Sequence, residues 1–284
     1  MLNKREFVNG LCTVGAGLLL SSCRGHSSTP TTAIMKPGIQ LYTLREPLKK
    51  DPAKTLGAVA HIGYKEVELA GLPEGVSARQ FRAMLDDLQL VCPAIHLQGE
   101  IAQQAEIAHA VGASMVVQAV PLELLNEDWQ LKAGTSLDDF RKFAANLNAK
   151  GEEAKSAGVS FGFHNHAWEM ARIEGKLAYE VLLEETDPEL VFMELDLGWT
   201  HVGEVDALQL FRGFPGRFKT CHIKDFSSDN KIVELGAGVV PLEAQLVEYP
   251  AAGFQHFFVE HDDTHTPIDT ARRSYAYLQK RNFI

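Results

Sequence analysis

Eight short apolar runs recur from residue 38 to the end of the chain, and they constrain the fold more than any other feature. They are rich in β-branched residues and alternate with segments that carry helix signals. The runs are GIQLYTL (from Gly38), YKEVELA (from Tyr64), LVCPAIHL (from Leu90), SMVVQAV (from Ser114), VSFGFHNH (from Val159), LVFMELDLG (from Leu190), FKTCHIKDF (from Phe218) and HFFVEHD (from His256). Strands that alternate with helices pair in parallel through right-handed crossovers. We therefore predict an α/β fold, a single-domain (β/α)8 or TIM barrel over residues 38–284.

The segments between the runs begin and end with residues that favour helix termini. Asp51 and Pro52 precede a helical pattern that Gly63 closes. Ser77 and Gln80 have the spacing of a capping box. An open, doubly wound sheet is the alternative, but such a sheet usually carries a Gly-rich phosphate fingerprint after its first strand. GIQLYTLRE has no such fingerprint, which favours the closed barrel.

We expect the first 37 residues to form a leader and a tether rather than part of the barrel. MLNKREF is a short basic start, and LCTVGAGLLLSSC is an apolar run too short to span a bilayer as a mature helix. This order is typical of a signal peptide, and LSSC resembles a bacterial lipobox. We predict a signal peptide over residues 1–22, a lipid anchor on Cys23 and a polar tether over residues 23–37. The alternative is a frayed start with a chance cysteine.

The leader also predicts where the protein resides. KREF resembles a twin-arginine export motif in which Lys4 replaces the first arginine. We therefore expect an exported lipoprotein on the periplasmic face of a bacterial membrane, with the twin-arginine route as one candidate. Its contact with the membrane would be the lipid on Cys23.

The net charge argues against a nucleic-acid partner, and the cysteines argue against a disulfide framework. The formal net charge of −10 gives the chain an acidic surface that repels a phosphate backbone, so we expect no nucleic-acid partner. Outside the leader only Cys92 and Cys221 remain, far apart and in apolar runs. Two such cysteines without a CxxC motif are no disulfide framework for a domain of this size. We expect both to be small buried hydrophobes.

Polar side chains gather where the predicted strands end, and the active site of such a barrel lies at the carboxyl ends of its strands. The polar residues at these ends are Glu68, His96, His164, His166, Glu169, Glu194, Asp196, His222, Lys224, Asp225, Glu260, His261 and Asp262. So many carboxylates and imidazoles at one barrel mouth would be unfavourable unless they are paired or bind a metal. Imidazole nitrogens combined with carboxylate oxygens suit Mn2+, Fe2+, Co2+ or Zn2+.

Each of these residues also has a simpler interpretation. A carboxylate at a strand end is often a helix N-cap or a surface charge. A single histidine such as His96 is often structural, and Lys224 with Asp225 could form an ion pair on the rim. Because side chains alternate along a strand, Glu194 and Asp196 share a face. The sequence leaves open whether both of them point inward.

Seven motifs give the chain a resemblance to a known family. They are GIQLYTLRE, GYKEVELAG, FHNHAWEM, ELDLGW, CHIKDF, LGAGVVPL and VEHD, and the resemblance extends over nearly all of residues 38–284. The chain resembles the xylose isomerase-like barrels known as sugar phosphate isomerases/epimerases. Their relatives include inosose dehydratase, tagatose 3-epimerase and endonuclease IV. The motifs together are specific for the family and not for a substrate.

The resemblance implies one divalent metal ion held by residues from strands five to eight. Carried onto this sequence, the metal ligands are Glu169, Asp196, His222 and Glu260. Some relatives place the first carboxylate earlier in the segment, so His164 or His166 is the alternative to Glu169. Mn2+ is our first expectation for the ion, with Zn2+, Co2+, Fe2+ or Mg2+ as alternatives.

The resemblance also implies an enediolate mechanism. The ion polarises a carbonyl, a protein group removes a proton from the neighbouring carbon, and the proton returns to another carbon or face. The catalytic residues we expect are Glu169, Glu260, His164 and Lys224. The substrate-binding residues we expect are His96, His166, Glu68 and Trp199. Glu169 and Glu260 would act as acid and base, and Lys224 would stabilise the enediolate.

The leader narrows the substrate that the resemblance implies. Sugar phosphates are rare outside the cytoplasm, and LGAGVV is only a weak candidate for a phosphate-binding loop. We therefore expect a small non-phosphorylated carbohydrate such as a keto-sugar, a cyclic polyol or a 3-keto-glycoside. The alternatives are a metal-dependent lyase or dehydratase, a three-metal phosphodiesterase like endonuclease IV, and a non-catalytic sugar-binding lipoprotein. The oligomeric state is left open.

Overall fold

Eight parallel strands form a closed barrel in the computed structural model, which describes residues 36–96 and 99–284. The strands are β1 (Pro37–Gln40), β2 (Glu66–Leu69), β3 (Val91–His96), β4 (Met115–Gln118), β5 (Ser160–His164), β6 (Val191–Asp196), β7 (Phe218–Ile223) and β8 (His256–Val259). They close in the order β1-β8-β7-β6-β5-β4-β3-β2, and every neighbouring pair is parallel. The predicted (β/α)8 barrel is confirmed. The predicted signal peptide, Cys23 and the tether up to residue 35 lie outside the described residues.

Helices lie in the segments that follow the strands. They are α1 (Arg45–Lys50), α2 (Pro52–Ile62), α3 (Ala78–Asp87), α4 (Ile101–Val111), α5 (Leu137–Ser156), α6 (Ala178–Glu185), α7 (Leu197–Val202), α8 (Ala207–Gly213), α9 (Leu242–Val247), α10 (Tyr249–Ala252) and α11 (Pro267–Lys280). Two short 3-10 helices cover Leu41–Leu44 and Leu122–Leu124. Two small hairpins pair Arg172–Ile173 with Lys176–Leu177, and Asp225–Phe226 with Ile232–Val233.

The helix termini follow the chemistry that the sequence predicts. At the start of α2 the Asp51 carboxylate accepts a backbone N–H at 2.9 Å, and Pro52 occupies the first turn. Gly63 follows the last turn with a φ of 124°, a conformation that favours glycine. Ser77 and Gln80 form the predicted capping box at the start of α3. These local signals set where the helices begin and end, and hence how long the loops at the barrel mouth are.

The barrel interior contains an apolar layer and a polar layer. The apolar layer consists of Ala94, Met115, Val117, Phe192 and Phe258. Two residues further along, on the same faces of β3 and β6, lie His96 and Glu194, because side chains in a strand alternate with a period of two. On β5, Gly162 leaves the space that the Phe192 ring occupies, since a Cβ there would overlap the ring. The interior therefore becomes polar toward the carboxyl ends of the strands.

Cys92 and Cys221 are both buried and free, which confirms that they are small core residues rather than a disulfide. Across residues 36–96 and 99–284, no helix has the length and apolar character needed to cross a bilayer.

Candidate active site

The strand register brings the polar strand ends together at one mouth of the barrel. It places His164 of β5 beside Glu194 of β6, and Asp196 of β6 beside His222 of β7. Glu260 follows β8 directly. We call the resulting group the polar cluster, and its members are Glu68, His96, His164, Glu194, Asp196, His222 and Glu260. All of them are buried except His96, which is partly exposed.

Two overlapping groups within the polar cluster could hold a metal ion. The first consists of His96, His164, Glu194 and His222, and the second consists of His164, Asp196, His222 and Glu260. In each group the candidate ligand atoms lie within 4.8 Å of one another. Because the two groups share His164 and His222, they describe one region of the barrel mouth. That overlap suits a single ion better than a three-metal centre.

The donor set fits a divalent cation. Among the described residues, buried His164 Nδ1 makes no hydrogen bond, and buried Asp196 Oδ2 has an ion pair but no further hydrogen bond. Asp196 Oδ2 lies 3.0 Å from Lys224 Nζ, and His164 Nδ1 lies 3.3 Å from Glu194 Oε1. Buried polar atoms without hydrogen bonds are rare in folded proteins and call for an explanation such as an ion. Two imidazoles with two carboxylates suit Mn2+, Fe2+, Co2+ or Zn2+, so these donors do not select one metal.

A cavity of about 690 Å³ borders the polar cluster. The residues predicted for the site that line it are His96, His164, His166, Trp199 and Glu260. Its lining also contains the aromatic residues Tyr42, Trp129 and Trp168 and the polar residues Gln40 and Asp262. Glu68, which was predicted to bind substrate, is not among the described lining residues. Its Oε2 instead accepts a hydrogen bond from Gln40 Nε2 at 2.9 Å.

His222 is the centre of the polar cluster. Its Nδ1 lies 2.7 Å from Glu260 Oε2, and its Nε2 lies 2.6 Å from Glu68 Oε2. Burial by itself would lower the pKa of His222, but the carboxylates of Glu194, Glu260 and Glu68 raise it well above its usual value. Because histidine ligates a metal only as a neutral imidazole, metal binding at His222 would release a proton.

Lys224 is fully buried among three carboxylates. Its Nζ lies 3.0 Å from Asp196 Oδ2, 2.9 Å from Glu260 Oε2 and 2.9 Å from Asp262 Oδ2. Burial would lower the pKa of Lys224, but these carboxylates raise it well above its usual value. Lys224 is not among the described residues that line the cavity. Its geometry is that of a charge that orders two candidate metal ligands, rather than the predicted contact with an enediolate.

Glu169 does not join the other predicted metal ligands in the structure. It belongs to neither metal group and is not among the described lining residues, although it is fully buried. Its Oε2 accepts the backbone N–H of His166 at 2.8 Å. Burial raises the pKa of Glu169 to about 8, although accepted backbone hydrogen bonds lower it in part. The geometry therefore favours His164, the alternative in the same segment, over Glu169 as metal ligand.

Glu194 belongs to the site although it was not among the predicted site residues. Thr220 Oγ1 donates to Glu194 Oε2 at 2.6 Å, while Glu194 Oε1 contacts His96 and lies 3.2 Å from His222 Nε2. The signal in the sequence was the spacing of two between Glu194 and Asp196, which puts both on one face of β6. Both side chains are fully buried at the barrel mouth, so that face is the interior one.

Asp225 has a structural role in the loop after β7. Its carboxylate accepts the backbone N–H groups of Phe226, Gly236, Gly238 and Val240 at 2.9 to 3.1 Å. The rim ion pair between Lys224 and Asp225, considered from the sequence, is wrong, because Lys224 pairs with other carboxylates. Three of the four amides belong to the segment LGAGVV, so a carboxylate of the protein already occupies this candidate phosphate loop.

Comparisons with known proteins agree with the fold. A family model described as "Xylose isomerase-like TIM barrel" matches residues 56–281. A crystal structure of a sugar phosphate isomerase/epimerase from Parabacteroides distasonis ATCC 8503 is 26% identical to this chain, with a TM-score of 0.75. The superposition covers 90% of this chain and 97% of that one.

Two further relatives differ in what their names say they do. An inosose dehydratase from Clostridium tetani is 24% identical over 166 residues, which are 51% of this chain and 55% of that protein. The match thus spans about half the length of this curated relative. A solved L-ribulose 3-epimerase is 17% identical, with a TM-score of 0.68 over 87% of this chain and 94% of its own, and shares the fold.

Proposed function

Because the chain belongs to the family of xylose isomerase-like TIM barrels, we propose that it is a divalent-metal-dependent isomerase or epimerase of a sugar-like carbonyl compound. One observation carries the proposal: a candidate metal group borders a large cavity that two of its members line. The members are His164, Asp196, His222 and Glu260. Such a site can bind neighbouring carbonyl and hydroxyl oxygens and hold a proton carrier beside the intervening C–H.

The four candidate ligands position the reacting end of the substrate. When bound, a divalent ion would polarise a substrate carbonyl and make the adjacent C–H acidic. Lys224 holds the carboxylates of Asp196 and Glu260 in place through ion pairs at 3.0 and 2.9 Å. Preorganised ligands of this kind lose little entropy when they bind, which favours a fixed substrate geometry.

Glu260 is the proton acceptor that we infer. It lines the cavity and also belongs to the second metal group. Burial would raise the pKa of Glu260, but Lys224 and His222 hold it well below its usual value. Glu260 is therefore ionised at neutral pH and can take a proton from a substrate carbon.

His166 is the second proton carrier. It follows β5, and two strands separate β5 from β8 in the closed barrel, so His166 and Glu260 approach the cavity from different sides. Burial lowers the pKa of His166 well below its usual value, so its imidazole is neutral at pH 7. A neutral imidazole has one donor and one acceptor nitrogen and can bind a hydroxyl or relay a proton. Inversion of configuration at a carbon requires a proton carrier on each of its two faces. Two proton carriers on different sides of the cavity meet this requirement.

Two features support a substrate without a phosphate group. The amides of the LGAGVV segment already bind the Asp225 carboxylate. None of the described residues that line the cavity is arginine or lysine, and Lys224 is already paired with three carboxylates. Phosphate recognition usually depends on such cations or on free backbone amides. We therefore propose a non-phosphorylated sugar or polyol-derived ketone.

A dehydratase is the second candidate, favoured by the inosose dehydratase that aligns with half of this chain. In that reaction Glu260 would take the C–H proton, the bond from the β-carbon to its hydroxyl would break, and water would leave. Asp262 could protonate the leaving hydroxyl, because it lines the cavity and burial raises its pKa to about 7. Part of Asp262 is then protonated at neutral pH.

Proton exchange with solvent tests the proposal. The protein, supplied with Mn2+, is incubated in D2O with D-fructose, D-allulose, L-ribulose and a keto-inositol, and each sugar is followed by NMR. Deuterium beside the carbonyl together with an isomer or epimer supports the first candidate. Loss of water to an unsaturated product supports the dehydratase.

Two controls accompany the exchange experiment. Glu260→Gln should abolish exchange, whereas Val247→Ala should not, because Val247 is 58% exposed and lies outside the cavity lining. Exchange with sugar phosphates alone would contradict the proposed substrate class. No exchange with any substrate would contradict the proposed reaction.

A further inference from the structure

A row of aromatic rings leads from the outer rim of the cavity toward the polar cluster. The ring centroids of Trp129 and Trp168 are 6.3 Å apart with planes at 23°, and those of Trp168 and His166 are 4.7 Å apart at 31°. His166 in turn lies edge to face with His164, a candidate metal ligand, at 4.9 Å. We call Trp129, Trp168 and His166 the aromatic track, and all three line the cavity. Their ring contacts connect an exposed indole at the cavity with a candidate metal ligand.

Trp129 is unusually exposed for an indole. It is 55% exposed, and among the large apolar side chains of the described residues only Tyr42 and Trp129 are both aromatic and well exposed. Both of them line the cavity. Leaving apolar surface in water is unfavourable, and apolar surface grouped at a cleft marks a binding site.

The loop between β4 and α5 holds Trp129 in this position. Trp129 has a φ of 57°, a left-handed conformation that is rare for a bulky residue. Asn126 Oδ1 accepts the backbone N–H groups of Asp128 and Gln130 at 3.0 and 2.9 Å. The Asn126 N–H donates to the Gln130 carbonyl at 2.8 Å, which closes the turn around Trp129. Backbone strain that is maintained by local hydrogen bonds is typical of functional positions.

We propose that Trp129 and Trp168 form a subsite for a second ring of the substrate, so that the substrate class is a glycoside rather than a free monosaccharide. This inference rests on the proposed function, which places the reacting sugar at the polar cluster. The C–H face of a pyranose is apolar and can pack on an indole while its hydroxyls remain in water. Clefts of roughly 300–1,000 Å³ bury most of a drug-sized ligand. The cavity of about 690 Å³ therefore has room for two sugar rings.

Disaccharide binding tests the subsite without requiring turnover. Calorimetric titration of the Mn2+-supplied protein with maltose, cellobiose and lactose is compared with titration with glucose and galactose. We expect at least one disaccharide to bind about tenfold more tightly than its monosaccharides, as stacking on two indoles predicts. Trp129→Ala and Trp168→Ala should each remove most of that advantage. Trp129→Phe, which keeps an aromatic ring, should retain it.

Leu122→Ala is the matched control, because Leu122 is 52% exposed in the same loop and does not line the cavity. It should bind the disaccharides as the wild type does. The subsite is refuted if the wild type shows no disaccharide advantage, or if both tryptophan-to-alanine variants keep it. Deuterium exchange on monosaccharide ketoses without any disaccharide advantage refutes the subsite alone. A disaccharide advantage without exchange on any of the ketoses or on a 3-keto-glycoside refutes the proposed reaction alone.

Discussion

At the residue scale, His164 and Glu169 lie five positions apart and occupy different environments. His164 ends β5 with its ring inside the barrel, 4.4 Å from the ring of His222 between centroids. Glu169 lies in the turn that follows, where its carboxylate accepts a backbone N–H. Both side chains are almost completely buried, so burial does not distinguish their roles. The face of the strand on which His164 lies does distinguish them.

Metal binding should therefore depend on His164 and not on Glu169. We expect His164→Ala to weaken Mn2+ binding at least about tenfold, because it removes a donor shared by both candidate groups. Glu169→Gln keeps the shape of the side chain and should leave the affinity within about twofold of the wild type. Equilibrium dialysis against Mn2+ measures both. The opposite order of effects would restore Glu169 as the ligand.

The buried carboxyl of Glu169 should make stability depend on pH. Burial raises its pKa to about 8 in the folded state, above the usual value of 4.5. The folded protein therefore keeps a proton that the unfolded chain releases, and the free energy of unfolding should fall as pH rises from about 5 to about 8.

Urea unfolding with EDTA present measures this dependence between pH 5 and 9. In Glu169→Gln the contribution of this group should be absent, so the variant should gain stability relative to the wild type as pH increases. A difference between the two proteins that does not change with pH would contradict the expectation.

At the scale of elements, the loop after β7 is organised by a single carboxylate. Asp225 accepts four backbone N–H groups, three of them from residues 236–240, and so joins the end of β7 to the segment before α9. Gly238 has no room for a side chain, because a Cβ there would overlap Asp225 and the Phe226 carbonyl. These hydrogen bonds therefore set the path of the loop, and the burial of Phe226 and Leu235 in the apolar core supports it.

Asp225→Ala should destabilise the fold by roughly 1–3 kcal/mol, because it leaves partly buried N–H groups without an acceptor. Urea unfolding provides the measurement. Asp229→Ala is the control in the same loop: Asp229 is exposed and pairs with Lys231 at 2.6 Å. Exposed pairs contribute little, so this variant should lose much less stability than Asp225→Ala. Equal losses in the two variants would show that the loop hydrogen bonds are not decisive.

At the scale of the whole molecule, the barrel concentrates carboxylates at one mouth. The carboxylates at this mouth are Glu68, Glu194, Asp196, Glu260 and Asp262. The ammonium of Lys224 and the raised pKa of His222 offset part of this negative charge. A divalent cation would offset more of it, since attraction between opposite charges is strong where water is excluded.

Mn2+ should therefore raise the melting temperature of the protein. At a free concentration of about 100 times Kd, binding adds about 2.7 kcal/mol of stability, which corresponds to roughly 5–10 °C for a domain of this size. Differential scanning calorimetry with and without EDTA measures the shift, and His164→Ala should reduce it. An unchanged melting temperature with Mn2+, Zn2+, Co2+ and Fe2+ would count against a metal site.

Much of the fold could be predicted from the sequence because strand and helix signals are local. The recurrence of the apolar runs identified the barrel. Capping residues such as Asp51 and Ser77 identified where helices begin. Because the active site of such a barrel lies at the carboxyl ends of its strands, the sequence also indicated the mouth at which polar residues converge. The signal peptide, the lipid anchor on Cys23 and the periplasmic location concern residues outside the described part of the chain and stay predictions.

By itself, the sequence determined the eightfold alternation, the family and the set of polar residues from which a site can be built. Only the tertiary structure decided which of these polar residues meet at the candidate metal site and which are held in other contacts. It brought His164 and Glu194 together, held Glu169 against a backbone amide, and placed Lys224 among carboxylates. Contacts between residues far apart in sequence depend on strand register and on the path of each loop. The apolar pattern encodes neither, because it records which face of a strand is buried and not which neighbour that face meets.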